Sequence, residues 1–224
     1  MPDNPAIHSA LAAHGLIARG GFHPVSADDV PGDPATLVMV GNAGPDMWAA
    51  FDDLRDDYAD STNPLDAWIT EVLSGVAADM GATALFPFGG PPHLPFQRWA
   101  QRAEPVHPSP VGVLIHPEFG LWHAYRGALV FSEKLELPQP IARPSPCDSC
   151  ADKPCLSACP VSAFDGTAYD VPACVGHITG SDTGDCMGLG CLARRACPVG
   201  REYIYEPAQA GFHMRAFAGA QAGG

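Results

Sequence analysis

The first 146 residues of this chain hold no cysteine, and the whole 224 hold only two lysines, Lys134 and Lys153. With 12 basic against 25 acidic residues, the formal net charge is −13. A basic footprint that grips phosphates is missing, so neither DNA nor bulk RNA is an expected partner. Long apolar runs are missing too. None approaches the ~18 residues that a membrane span needs, so no membrane association is expected. The opening MPDNPAIHSALAAHG lacks a basic stretch followed by an apolar core of signal-peptide length. A cytoplasmic location is therefore expected, where a disulfide framework finds no oxidising compartment. The densest charge run is Asp52, Asp53, Asp56, Asp57 and Asp60, relieved by Arg55. It has no histidine or cysteine beside it and reads as a solvated helix face and loop.

What the chain does have is concentrated. All eight cysteines lie between Cys147 and Cys197, and both Cys159 and Cys197 precede a proline. They form two groups of four, C-x2-C-x4-C-x3-C-P (Cys147, Cys150, Cys155, Cys159) and C-x11-C-x4-C-x5-C-P (Cys174, Cys186, Cys191, Cys197). Four thiolates hold one [4Fe–4S] cube. The first group is close to the bacterial ferredoxin run C-x2-C-x2-C-x3-C-P, in which the cysteine before proline ligates the other cluster. Applied here, that crossing assigns Cys147, Cys150, Cys155 and Cys197 to one cluster and Cys159, Cys174, Cys186 and Cys191 to the other, with none left over. Structural zinc is the competing metal, but it favours paired C-x2-C knuckles, and only Cys147 and Cys150 have that spacing. Ser145, Asp148 and Ser149 surround the first cysteines and are candidates for tuning a cluster through hydrogen bonds.

Prolines at 138, 140, 144 and 146 should keep the chain extended, because proline fixes φ and disfavours helix in the residue before it. A boundary placed there gives a domain over residues 1–140 and a cysteine module over 141–224. In the first domain, Asn4-Pro5 caps a helix whose periodicity runs through Ile7, Leu11, His14 and Ile17. TLVMVGNAG (36–44) reads as a buried strand, Pro45 and Pro64 start helices, and ATALF (82–86) reads as a strand. PFGGPPHLPFQRWAQRAE gives a glycine- and proline-rich loop, then a short helix bearing Arg98, Trp99 and Arg102. GVLIHPEFG (112–120) and LWHAYRGALVF (121–131) read as two strands of a hairpin turning at His116-Pro117-Glu118. The expected class is α+β.

The lone Cys174 after YDVPA, followed by a tighter set ending in C-P, resembles the two-cluster module of epoxyqueuosine reductase, a cobalamin- and iron–sulfur-dependent enzyme of tRNA modification. Reductive dehalogenases are similar more distantly. Upstream, GVLIHPEFGLWHAYRGALVF is similar to the H-P-x-F-G-x-W-x-x-x-R-G signature of CblC-type cobalamin-processing proteins, and TLVMVGNAGPDMWAAFDDL has their look. These resemblances cover roughly residues 35–200. They imply a nitroreductase-like α+β domain followed by a small two-cluster ferredoxin-like module, with cobalamin as a further cofactor. His116, His123 and Arg126 lie on the matching segment, so the resemblance makes them candidates for lining a cofactor pocket. Trp99 and Trp122 are candidates for stacking on a macrocycle or for the core. His93 and His107 read as loop residues.

Three functions follow. Two clusters feed a corrinoid in the upstream domain, or they make a ferredoxin-like electron carrier whose upstream domain docks a redox partner protein, or zinc stabilises a binding protein. A flavin is a variant of the first, although no phosphate-cradling G-x-G-x-x-G is present.

Overall fold

The computed structural model describes residues 5–138, 141–181 and 185–222, so the capping residue Asn4 lies outside the described residues. The chain opens with α1 (Pro5–Ala12), β1 (Ile17–Phe22), β2 (Thr36–Ala43), α2 (Asp46–Asp52), α3 (Pro64–Asp79), β3 (Thr83–Leu85) and α4 (Phe96–Ala103). Three strands follow, β4 (His107–Pro108), β5 (Leu114–Ile115) and β6 (His123–Phe131). The remainder is helical, with α5 (Pro154–Ser157), α6 (Val171–Thr179), α7 (Cys186–Leu189), α8 (Leu192–Arg195) and α9 (Pro207–Ala222).

The chain divides into two compact units, one of residues 1–105 and 123–143, the other of 106–122 and 144–224. A single cut near 140 does not make this division, because Val106–Trp122 belongs with the cysteines. The expected hairpin over 112–131 is also not what forms. β5 pairs with the short β4, His116 bridges to Gly120 within the turn, and β6 belongs to the other unit. Proline and glycine interrupt the run at Pro117 and Gly120, so it makes a tight turn rather than two long paired strands.

In the first unit four antiparallel strands lie in the order β1-β2-β6-β3. Leu37, Val38, Met39 and Val40 of β2 are all fully buried, so both faces of the central strand are covered. Helix α3 starts at Pro64, as a proline at the first helical position favours, and buries Leu65, Trp68, Ile69, Leu73 and Val76 along one stripe. Helix α1 stops at Ala12 rather than running on. Ile17 opens β1, because Gly15, in left-handed conformation, turns the chain there.

The sheet carries two bulges, each with an arginine. Ala18 pairs with Val40 and Gly21 with Val38, leaving one extra residue at Arg19-Gly20. Gly41 pairs with Tyr125 and Val40 with Gly127, leaving Arg126 unmatched. A bulge re-aims its side chain out of the regular alternation.

In the second unit α7 and α6 pack on α9, and α5 packs on α8. Its apolar core joins Val111, Ile115 and Leu121 to Phe164 and Ala193, with Cys147, Cys155, Cys159, Cys191 and Cys197 packed into the same cluster. A second cluster of Ile178, Cys186 and Ala218 takes in Cys174 and Met214.

Candidate functional site

Two cavities of the second unit are walled by cysteine. Cys147, Cys150, Cys155 and Cys197 border one. Cys159, Cys174, Cys186 and Cys191 border the other. Two short helices produce this sorting. Cys155 lies in α5 and Cys159 two residues past its end, while Cys191 caps α8 and Cys197 follows it. Because α5 and α8 pack together, each sends its trailing cysteine, the one before proline, to the cavity where the other helix starts.

All eight cysteines are free of disulfides. Burial pushes the thiols of Cys147, Cys155, Cys186, Cys191 and Cys197 above their ordinary 9.0. Backbone N–H groups act in the opposite sense, those of Leu156 on Cys155, Leu192 on Cys186, Ala193 and Arg194 on Cys191, and Val199 on Cys197. The N–H of Ala163 donates to Cys159 Sγ at 3.3 Å. Four thiols with peptide N–H groups turned toward sulfur are a donor set suited to a cube, whose potential responds to such bonds. Among the described residues no three His, Cys, Asp or Glu side chains converge closely enough to hold a single metal ion.

Pro110 and Ile115, which precede the turn at His116–Gly120, wall the first cavity. His116 is the pin of its turn. Its Nδ1 accepts from the backbone N–H groups of Glu118 and Phe119, at 3.1 and 3.1 Å, and its ring stacks on Phe119 at 4.3 Å. Trp122 is core, packed on Tyr205, with the Arg194 guanidinium 4.6 Å above its ring. Ser145 Oγ accepts from the N–H of Cys147 and Ser149 Oγ donates to Pro146 O, both at 3.3 Å, so the two hydroxyls shape the first cysteine turn.

His123 and Arg126 lie in the other unit, so the structure does not place all three candidate pocket residues in one unit. Both join a buried polar network that sequence reasoning missed. Arg19, 1% exposed, pairs with Glu104 at 2.6 Å, donates to Asn42 O at 3.3 Å and lies 3.2 Å from His123 Nδ1. Tyr125 donates its hydroxyl to Glu104 and stacks beneath the Arg19 guanidinium. Burial raises the Tyr125 phenol far above its ordinary 10.0. Arg126 Nε donates to Asn42 Oδ1 at 3.0 Å. The network joins positions 85 and 104 residues apart, and no local motif could have announced it. His123 and Arg126, the candidates for lining a cofactor pocket, are thus held by other side chains of this network. Trp99, fully buried, donates its indole N–H to Asp28 O at 2.8 Å and is core as well.

No protein-family model matches the chain, and no curated protein matches it. Solved structures do. An epoxyqueuosine reductase from Streptococcus thermophilus superposes with a TM-score of 0.55 at 15% identity, over 94% of this chain and 70% of that one. The B12-trafficking protein CblC of C. elegans, a human MMACHC homologue, gives 0.52 at 15% identity over 96% and 91%. The fold is shared. It is a mixed helix-and-strand architecture, as read from the sequence, and at this identity the likeness reaches no further than fold.

A third structure corrects one expectation. It shows an epoxyqueuosine reductase with a tRNA-Tyr epoxyqueuosine-modified tRNA stem loop, at a TM-score of 0.52 and 15% identity, over 92% of this chain and 69% of that one. The exclusion of RNA from net charge is thereby overturned. Net charge sums the whole surface, whereas an RNA contact needs only a local patch. No helix among the described residues is long and apolar enough to cross a membrane.

Proposed function

We propose that this chain is an iron–sulfur redox protein. One [4Fe–4S] cluster is held by Cys147, Cys150, Cys155 and Cys197, and a second by Cys159, Cys174, Cys186 and Cys191, in a ferredoxin-like module. The observation that carries this reading is the sorting of eight cysteines into two four-cysteine cavities, with the cysteine before each proline crossing over. When bound, the clusters supply one-electron transfer and a corrinoid in the upstream unit supplies a reducible cobalt.

The chain's own part is to hold and shield. Ile115, Leu121, Phe164 and Ala193 exclude water from the cysteines, and peptide N–H groups offset thiolate charge. The corrinoid as electron acceptor is supported by the fold shared with CblC and epoxyqueuosine reductase. It draws no support from His116, His123 and Arg126, which are bonded within the protein.

Anaerobic purification, iron and sulfide analysis, and visible spectra with added hydroxocobalamin test the proposal. About eight iron and eight sulfide per chain are expected, with a corrinoid spectrum that shifts on binding. The same iron with an unshifted corrinoid leaves an electron carrier, and zinc without iron ends both readings.

A further inference from the structure

His177 lies on α6, one turn after Cys174, and lines the cavity of Cys159, Cys174, Cys186 and Cys191. Its Nε2 is buried and has no hydrogen-bond partner among the described residues. A buried ring nitrogen left unpaired is costly, so such a group normally has a use. The rest of that cavity wall is apolar apart from the cysteines, with Val161, Phe164, Ile178, Leu192 and Met214 offering nothing for it to bond. Among the described residues, the side-chain acceptors on this wall are the sulfurs of the four cysteines and Met214. The first cavity has no histidine among its lining residues and carries Lys153 instead.

Resting on the two-cluster reading, we infer that His177, with its proton on Nε2, donates a hydrogen bond to the second cluster or to one of its thiolates. A donor at sulfur stabilises the reduced, more negative cluster and raises its potential. His177 is thus a positioning residue that sets the potential of one cluster and leaves the other to its own surroundings.

The test uses the full chain, loaded anaerobically with iron and sulfide and titrated potentiometrically with electron paramagnetic resonance as readout. Cys186→Ser, which removes a ligand of the second cluster only, identifies that cluster's wave. In His177→Phe this wave is expected to move down by at least tenfold in the reduced-to-oxidised ratio, which is 59 mV for one electron. The other wave should stay in place. His177→Gln keeps an N–H donor and should recover part of the shift. If the phenylalanine ring displaces iron, His177→Ala carries the same expectation. An unmoved wave with about eight iron still bound overturns the inference alone, as does an equal movement of both waves. A wild-type chain that takes up no iron overturns the cluster reading beneath it.

Discussion

Gly120 and Gly200 meet backbone to backbone. A Cβ on Gly120 would stand 2.0 Å from the carbonyl oxygen of Val199, and one on Gly200 would stand 2.3 Å from the carbonyl carbon of Phe119. Both residues have positive φ, 57° and 70°. The glycine of F-G-x-W is therefore matched to the glycine three residues after Cys197, and Val199, which a Cβ on Gly120 would strike, lines the first cysteine cavity.

Gly120→Ala should accordingly act on metal as well as stability. Strain at positive φ costs roughly 1–3 kcal/mol, and the contact with Val199 forces the two segments apart. A lower Tm is expected, together with preferential loss of iron from the site of Cys147, Cys150, Cys155 and Cys197. Iron counts unchanged from wild type would separate this turn from the cysteine site.

The crossing makes a sharper statement. Cys159→Ser should damage the cluster nucleated by Cys174, Cys186 and Cys191, and Cys197→Ser the one nucleated by Cys147, Cys150 and Cys155. Each variant is expected to keep roughly half of its iron, with magnetic resonance spectra showing which cluster survives. Loss confined to the serine's own sequence group would show that the chain does not cross.

Glu104→Gln removes the carboxylate facing a buried guanidinium. Arg19 is 1% exposed and the Glu104 side chain 12%, so the remaining charge has little water to turn to. A loss of about 3–5 kcal/mol is expected on denaturant unfolding, mainly as a lower midpoint at similar slope. A change under about 1 kcal/mol would indicate that the network is solvated in solution.

Acid should loosen the same unit at Asp28. Burial pushes this carboxyl up, but the hydrogen bonds from Arg102 and the Val25 N–H, with the charges of Arg102 and Arg98, outweigh it and hold it below the ordinary 3.8. A depressed folded value contributes stability that is present above pH 3.8 and is lost as pH falls through the folded value. Asp28→Asn should therefore be less stable than wild type at neutral pH, and its Tm should fall less steeply below about pH 4. Parallel Tm profiles would rule out Asp28 as a source of acid sensitivity.

Composition and local periodicity determined a good part of this protein. The stripe of α3, the unbroken apolar run of β2 and the prolines that begin α2 and α3 were legible because each depends on neighbours within a turn or two. The two runs of four cysteines were legible for the same reason, whereas their sorting into two cavities follows from the packing of α5 on α8. Tertiary structure alone decided where Val106–Trp122 belongs, because its short apolar residues suit a strand in either unit until Gly120 meets Gly200. It also decided that Arg19 and Arg126 serve a buried network, since bulges turned them out of alternation toward partners far along the chain. What a residue contacts at long range is set by the closing of the whole sheet, which no short stretch of sequence records.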